Sequence, residues 1–412
     1  MSKLPPPPRA IWFVLLAVLV DSIGFGIIMP VLPGIVMKLG HVDLSEATRI
    51  GGWLGVTYAG VQFLTGPLVG NLGDRFGRRP VLLGALAGYA ADYALMGFAP
   101  TLGWLFLGRA LAGLFGASFG PAGAAIADIS KPEERSRYFG MIGAAFGIGF
   151  IVGPAIGGLL GEFGPRAPFH AAAVLAGLNV LFGLFVFPET LKPELRRPFS
   201  LARANPLGAV KALRRLHGVL PLLVAAFFWQ IAGMIYPVTW SYYAMAAFGW
   251  SPALIGASLT MVGLLMALSQ MFLTGRVVKR LGERRAAMTG MVAAAIQFAG
   301  YALIQQGWLV FVVMLIMPVQ SLVFPALSGL MSRKVPPDAQ GELQGFNGSI
   351  ASVAAIVAPA IYTPALAFFT SPEAPFRFAG VAFAMAVILA VISFAILAIS
   401  RADDQIPSAT AA

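Results

Sequence analysis

Long apolar runs alternate with short polar connections along almost the whole chain. Each run holds about 20 residues or more, the length that an α-helix needs to cross a hydrocarbon core about 30 Å thick. The pattern therefore predicts twelve membrane-spanning helices. Their bounds are residues 10–36, 50–71, 80–99, 102–127, 137–161, 167–188, 219–247, 252–275, 286–305, 308–331, 342–369 and 376–400.

One connection is much longer than the others and is polar and basic. It runs from Glu189 to Gly218, between the sixth and seventh spans, and holds seven lysines and arginines. It is the natural boundary between two halves. The predicted organisation is an N-terminal six-helix bundle at 1–188, a cytoplasmic linker at 189–218 and a C-terminal six-helix bundle at 219–412.

The composition is typical of an integral membrane protein. Hydrophobic residues make up 58% of it and charged residues only 11%, whereas a soluble domain needs about a quarter of charged residues. The predicted class is an all-α integral membrane protein. The absence of cysteine excludes disulfides and thiolate metal sites,. The three histidines are scattered, so neither a metal site nor a cofactor is expected.

The net charge of +11 reflects topology. Of the 28 lysines and arginines, 23 fall in the tails and in the connections on the side of the tails. The positive-inside rule places both termini and the long connection in the cytoplasm. Nucleic-acid binding is not expected, because it needs a basic face with aromatic residues on a soluble module. The first apolar run lacks a small-residue cleavage site, so it is interpreted as a retained span rather than a signal peptide.

The two halves repeat with one offset. Adding 205 to the position carries landmarks of the second and third spans, and of the fifth span, onto matching residues of the other half. Gly70, Arg75, Gly77 and Arg79 map onto Gly275, Arg280, Gly282 and Arg284, and Ile151 and Pro154 map onto Ile356 and Pro359. Six-helix halves related by a parallel repeat are typical of transporters with a substrate site near the midplane.

Several motifs support a family resemblance. The stretch G-N-L-G-D-R-F-G-R-R-P-V-L from Gly70 resembles the major facilitator signature, and G-F-I-V-G-P-A-I-G-G from Gly149 resembles the fifth-helix signature of its drug/proton antiporters. The stretch D-S-I-G-F-G-I-I-M-P-V-L-P from Asp21, the Asp92-Tyr93 pair and L-G-R-A-L-A-G from Leu107 resemble the tetracycline/proton antiporter (Tet) subfamily.

Three charged residues lie inside predicted spans: Asp21, Asp92 and Arg109. Asp21 and Asp92 sit roughly 15 to 18 Å deep at 1.5 Å per residue, where a charge costs at least about 2.5 to 3.5 kcal/mol. Two acids and one base leave an acid that can exchange a proton, and the resemblance implies acids and an arginine at these places. We expect Asp21 to be the leading proton-coupling carboxylate, helped by Asp92 and Arg109. The alternative is that Arg109 only neutralises a buried aspartate to hold helices together.

Two glycine-rich stretches are candidate gates. The first, which begins at Gly70, is expected to be a cytoplasmic latch that stabilises the outward-facing state. The alternative is that its arginines only mark the cytoplasmic side of the membrane. The second is expected to pack helices closely through its glycines and to bend at its proline. The gating residues are Gly70, Gly73, Asp74, Arg75, Gly77, Arg78, Gly149, Gly153, Pro154, Gly157 and Gly158.

Neutral polar and aromatic residues in the spans predict an aromatic, hydrogen-bonding cavity for a partly apolar molecule. Each of them alone could instead be an interhelical contact. The candidates are Tyr58, Gln62, Trp229, Gln230, Tyr236, Trp240, Gln270, Gln297, Gln320 and Asn347.

The second half departs from the Tet pattern. Ala294 stands where the resemblance implies a ninth-helix aspartate, and Met266 where it implies an eighth-helix histidine. The second half thus has no central acid, which weakens the case for a metal-chelated tetracycline and leaves coupling to the first half.

Together these features predict a monomeric, multi-pass, proton-coupled antiporter of the bacterial inner membrane that exports a small amphipathic compound by alternating access. Its partners are the substrate, protons and the lipid bilayer. A proton symporter or facilitator for an endogenous metabolite is the first alternative, and a membrane receptor or sensor the second. No nucleophile with a positioned base and no phosphate-binding loop is found, so the chain is not expected to be an enzyme.

Overall fold

The computed structural model describes residues 9–116, 119–200, 219–336 and 339–400. These residues are built almost entirely of helices, and no strand is assigned among them. The predicted all-α class is confirmed. The tails and most of the long connection, residues 201–218, lie outside the described ranges, so the predicted domain bounds remain a prediction.

Residues 9–116 and 119–188, the described part of the first half, contain eight α-helices. They are α1 (Arg9–Ile28), α2 (Leu32–Gly40), α3 (Leu44–Phe76), α4 (Arg78–Gly97), α5 (Leu102–Phe115), α6 (Phe119–Ile129), α7 (Pro132–Gly161) and α8 (Ala167–Val186).

The described residues of the second half, 219–336 and 339–400, contain nine α-helices and one π-helical turn at Ser269–Leu273. The helices are α9 (Leu220–Gly233), α10 (Ile235–Phe248), α11 (Pro252–Leu268), α12 (Thr274–Leu303), α13 (Gly307–Met314), α14 (Met317–Gln320), α15 (Val323–Arg333), α16 (Gln340–Thr370) and α17 (Val381–Ile399).

The helices are consistent with twelve spans. By length and composition, eight stretches in the described ranges can cross a membrane, and the bent pair that begins at Gly307 makes a ninth. The stretch Pro252–Leu303 has 52 residues, about 78 Å of helix and far longer than one crossing. It breaks at Gly282, so it makes two spans. The remaining two predicted spans fall on the more polar α3 and α4.

Several spans are broken where the apolar pattern predicted one continuous helix. Breaks at Val31, Met234, Ile316 and Leu322 each precede a proline by two or three residues. Proline lacks the backbone N–H and disfavours helical geometry in the residue before it, so the chain turns there. The connections, by contrast, are shorter than predicted. Gly77 alone separates α3 from α4, and Gly282 interrupts α12.

The packing groups the first six spans and the last six spans separately. Within the first half, α1 lies on α7 and α4 on α8; within the second, α12 and α9 lie on α17. The halves meet along two helix pairs, α3 with α16 and α7 with α11.

The predicted repeat is visible in the backbone. Gly77 and Gly282 both have positive φ, at 104° and 77°, a conformation that glycine adopts without steric cost. The next landmark pair also behaves alike. Arg79 donates to the carbonyl of Leu184 at the end of α8, and Arg284 to that of Leu397 at the end of α17, at 2.7 and 2.6 Å.

The halves are closed against each other at one end and apart at the other. We call the end that holds Gly77 the basic end, and the other the opposite end. At the opposite end, hydroxyl groups of one half donate to carbonyls of the other. These hydrogen bonds are Ser241 to Met29 at 2.7 Å, Ser45 to Ala367 at 2.6 Å and Thr260 to Ile151 at 3.1 Å.

The same two helix faces separate toward the basic end. Gly52 of α3 packs against Thr363 of α16. Eighteen residues make about five helical turns, so Gly70 and Gly345 continue these two faces. A Cβ at either glycine would have no atom within 4 Å. A cavity between the halves therefore opens at the basic end.

Candidate functional site

Asp92 and Arg109 form an ion pair inside the membrane-spanning region. Asp92 of α4 is fully buried, and its Oδ2 lies 3.7 Å from Nη2 of Arg109 on α5. Neither carboxylate oxygen accepts a hydrogen bond from the described residues, and Nε of Arg109 likewise lacks a partner there. The pair is held by charge attraction alone, so both groups keep hydrogen-bonding capacity for a proton, water or substrate.

A glycine and a methionine lie next to this pair. A Cβ at Gly108 would lie 2.8 Å from Oδ1 of Asp92, so only glycine fits beside the carboxylate. Nη2 of Arg109 also lies 3.4 Å from the sulfur of Met96.

Asp21 lies on α1 and is 8% exposed. Tyr93, which follows Asp92 on α4, packs against Gly24, one turn after Asp21 on α1. The structure thus brings the three predicted proton-coupling residues into one neighbourhood of the first half.

A polar cluster continues from this neighbourhood toward the end of α5. The guanidinium carbon of Arg109 lies 5.7 Å from the ring centre of Tyr58. Gln62 donates to the Tyr58 hydroxyl at 3.2 Å and to the carbonyl of Gly116 at 2.9 Å, and Tyr89 hydrogen-bonds to Tyr58. Tyr58 and Gln62 are half-buried. Two predicted substrate residues therefore lie beside the charged pair.

Four other predicted substrate residues lie in the interior of the second half. Trp240 is 1% and Gln297 0% exposed. Trp240 donates to Ser258 at 2.8 Å, and Gln297 to the Tyr301 hydroxyl at 2.9 Å. The remaining two, Tyr236 and Gln320, are hydrogen-bonded to each other at 3.4 Å. In this conformation Trp240, Tyr236 and Gln320 bond between helices, whereas the hydrogen bond of Gln297 lies within α12.

The last four candidates lie elsewhere in the second half. Trp229, Gln230 and Asn347 line a small pocket between α9, α15 and α16, together with Ser328. Gln270 is exposed in the π-helical turn and donates to the carbonyl of Ser321 at 3.3 Å.

Among the described residues of the second half, the buried pair of Asp92 and Arg109 has no charged counterpart. The 205-residue offset carries Asp92 onto Gln297 and Arg109 onto Met314, both fully buried and neutral. Ala294 is also fully buried, and Met266 is partly exposed.

At the basic end, charged residues tie the start of α4 to its surroundings. Arg78 forms ion pairs with Asp74 at 2.8 Å and with Asp128 of α6 at 3.0 Å. Glu189 accepts hydrogen bonds from the backbone N–H of Arg78 at 2.8 Å and of Arg79 at 3.3 Å. A carboxylate at a helix N-terminus satisfies free N–H groups and complements the helix dipole.

Gly77 is needed for this arrangement. Besides its positive φ, a Cβ there would clash with the Glu189 carboxylate. Gly73 leaves space for the Arg78 side chain, and Arg75 lies over the ring of Phe76.

The start of the long connection packs on the same stretch. Asn71 donates to the carbonyl of Ser200 at 2.6 Å, and the Arg197 N–H donates to the carbonyl of Asp74 at 3.0 Å. The predicted latch residues are thus held within the first half while the basic end is open. Their role in the outward-facing state remains a prediction.

The glycines of α7 have two different partners. A Cβ at Gly149, Gly153 or Gly157 would run into the backbone of α1, in the same half. At Gly158 it would instead lie 2.6 Å from the carbonyl oxygen of Pro252 and 3.0 Å from Cα of Gly256, on α11. Close packing is therefore observed for this motif, and Gly158 packs against the other half.

Three residues of the site, Tyr89, Asp128 and Glu189, were not predicted from the sequence. Tyr89 lies one turn before Tyr93 on α4 and stacks on it at 5.8 Å, a spacing that could have marked it. Asp128 and Glu189 are acids near basic residues at the polar ends of spans. Their charge, opposite to that of these neighbours, is the one sequence feature that could have marked them.

Comparison with known proteins agrees with this architecture. The family model of the Major Facilitator Superfamily matches residues 14–359 and 222–410. The Escherichia coli protein named tetracycline resistance protein, class C, is 42% identical over 355 residues, 86% of this chain and 89% of that protein. The Vibrio anguillarum protein named tetracycline resistance protein, class G, is 38% identical over 85% of this chain and 88% of its own.

Among solved structures, the crystal structure of the human organic anion transporter MFSD10 (TETRAN) is similar. It has a TM-score of 0.69 at 24% identity, over 96% of this chain and 100% of that chain. At this identity the likeness shows the fold.

Proposed function

The chain belongs to the major facilitator superfamily, and from that premise we propose that it is a proton-coupled antiporter that exports a small amphipathic, drug-like compound, with tetracycline-like molecules included. Membership makes the chain a multi-pass membrane transporter and not an enzyme. We further propose a monomer in the bacterial inner membrane, with both termini in the cytoplasm.

The Asp92–Arg109 pair carries this proposal. With Asp21 ionised, the neighbourhood holds two negative charges and one positive, and one added proton makes it neutral. A net charge is costly inside a membrane, so proton binding is favoured until a substrate or a movement of α1 offers compensation. The open oxygens of Asp92 give the proton a place to bind. Competition between proton and substrate for the same acids is the basis of antiport.

The direction of transport follows from the cavity and the charge distribution. The cavity opens at the basic end, and the positive-inside rule assigns that end to the cytoplasm. A substrate would enter from the cytoplasm, and rocking of the halves would release it on the other side.

The class of substrate is supported by the relatives and by the polar side chains. The two relatives named above are tetracycline resistance proteins. Tyr58, Gln62, Gln230 and Asn347 offer aromatic faces and amides. Such a lining suits a partly apolar molecule with several polar groups.

Transport by the purified protein in liposomes tests the proposal, with tetracycline as the probe. The wild type is expected to accumulate tetracycline when a pH gradient is imposed and to exchange it without one. Asp21→Asn should lose the gradient-driven accumulation but keep exchange. The matched control is Asp43→Asn, because Asp43 caps α3 at the opposite end. Gradient-driven accumulation by Asp21→Asn at the wild-type rate would contradict the assignment.

Proton release separates antiport from its alternatives. Adding a transported substrate to the purified protein in weak buffer should release protons from the wild type. A facilitator or a sensor would bind without release, and a symporter would take protons up.

A further inference from the structure

The N-terminus of α11 lacks a cap from its own chain segment. Its N-cap residue, Ser251, makes no side-chain hydrogen bond to the helix, and Pro252 at the first position has no N–H. The first N–H available is that of Ala253. Free N–H groups at a helix start need an acceptor, and an acidic one is favoured by the helix dipole.

Glu162 of the other half supplies that acceptor. It follows the last residue of α7, and its Oε1 accepts the N–H of Ala253 at 2.9 Å. The Ser251 hydroxyl also hydrogen-bonds to the same carboxylate. The other hydrogen bonds described above between the halves come from neutral hydroxyl groups, so this one adds a charged acceptor to the closed end.

We propose that Glu162 is a positioning residue for alternating access: its carboxylate caps α11 across the two halves and stabilises the state in which the opposite end is closed. The proposal rests on the transport function proposed above and adds a residue to its gate. The cap lies beside a close backbone contact between the halves, since Gly158 contacts Gly256 one turn away from it on each helix.

The cap must break whenever the opposite end opens, and its surroundings allow that. Glu162 is exposed, so water can replace Ala253 and Ser251 at little cost. An exposed acid at a helix start is worth a few-fold in an equilibrium constant. This is enough to bias two states without locking one of them.

Distances across the opposite end test the proposal. The chain has no cysteine, so spin labels can be attached at Lys38→Cys and Glu373→Cys, two exposed positions at this end in different halves. Double electron–electron resonance on the full-length protein then reports the ratio of open to closed populations. Glu162→Ala should raise that ratio about two- to fivefold, and Glu162→Gln, which keeps an acceptor oxygen, should raise it less.

Two further variants make the result specific. Glu46→Ala removes an acid at the same end that pairs with Arg49 in its own half at 2.6 Å, and it should leave the ratio unchanged. Ser251→Asp gives α11 a charged cap of its own beside Glu162, and it should raise the ratio with Glu162 intact. An unchanged ratio in both Glu162→Ala and Ser251→Asp, or an equal rise in Glu46→Ala, would overturn the proposal. Because the labels report conformation without substrate, this outcome is independent of the transport assay.

Discussion

The Nε atom of Arg78 lies 3.0 Å from Oδ2 of Asp128, so an ion pair joins the start of α4 to the end of α6. The 205-residue offset carries these two residues onto Glu283 and Arg333, whose charged atoms are also 3.0 Å apart. The second half thus keeps the ion pair with its two charges exchanged. The repeat preserves the attraction between the two helices here, although the residues differ.

This exchange predicts that the second pair can be reversed. Glu283→Arg places two guanidinium groups side by side and should lower the thermal midpoint of the purified protein. Glu283→Arg combined with Arg333→Glu restores the attraction and should recover most of the loss. The effect is small, about 0.5 to 1 kcal/mol, because Arg333 is largely exposed,. A double variant no more stable than Glu283→Arg would show that attraction is not what the pair contributes.

The buried pair of Asp92 and Arg109 predicts a separation between folding and coupling. Asp92→Asn leaves the guanidinium buried without its carboxylate, a change that costs about 3 to 5 kcal/mol. We expect a much lower amount of protein in the membrane. Asp92→Asn with Arg109→Gln removes both charges and should restore that amount, measured by immunoblot.

Gradient-driven transport by the double variant decides the role of the pair. We expect accumulation of tetracycline in liposomes to stay absent, because Asp21 then lacks the second carboxylate and the arginine that set its charge state. A double variant that folds and accumulates tetracycline like the wild type would assign the pair to helix packing alone.

The all-helical class and the burial of the three central charges could be predicted from the sequence because a bilayer leaves few options. Every backbone polar group must be bonded within a helix there, so long apolar runs are helices, and a charge inside one stands out. The breaks near Pro237 and Pro318 were not predicted, because hydropathy does not register a missing N–H.

The side chains that face the cavity could not be predicted in the same way. A helix in this bundle faces lipid, the other helices of its half and the cavity. Polar residues occur both in the contacts between helices and in the cavity lining. Trp240 and Gln230 are ten residues apart in sequence. One is buried in the second half, and the other lines a pocket. The capping role of Glu162 could not be predicted from the sequence, because its partner Ala253 is 91 residues away in the other half.

The latch hypothesis predicts a change in access to the basic end. While that end is open, Asp74 pairs with Arg78 in its own half at 2.8 Å. If Asp74 also stabilises the outward-facing state, Asp74→Ala should favour the open basic end. A cysteine at Gly345, on the open face of α16, should then react faster with a water-soluble maleimide. Asp43→Ala at the opposite end is the matched control, and equal rates in both variants would remove the latch role.

Two adjacent glycines of α7 should respond differently to a methyl group. Gly157 faces α1 in its own half, whereas Gly158 faces α11 in the other. Gly157→Ala should lower the thermal midpoint, because overpacking typically costs about 1 to 3 kcal/mol. Gly158→Ala should instead push the halves apart and raise the open population between labels at Lys38→Cys and Glu373→Cys. If both variants changed only the thermal midpoint, Gly158 would not contribute specifically to closing the opposite end.

The cap of α11 predicts a pH dependence whose range and sign are fixed by its hydrogen bonds. The Ala253 N–H and then the Ser251 hydroxyl hold the pKa of Glu162 below its ordinary value of 4.5. A carboxyl whose pKa is lowered in the capped state favours that state while it is ionised. Its contribution is complete above 4.5 and is lost as the pH falls through the lowered pKa,.

At neutral pH, the open population at the opposite end should therefore be insensitive to small changes in pH through Glu162. As the pH falls below 4.5 and through the lowered pKa of Glu162, it should rise in the wild type and approach that of Glu162→Gln, which cannot titrate,. The label distances measured in both proteins across this range give the difference that belongs to Glu162. A wild-type and Glu162→Gln difference that stays constant on acidification would mean that the carboxylate charge does not hold the closed end.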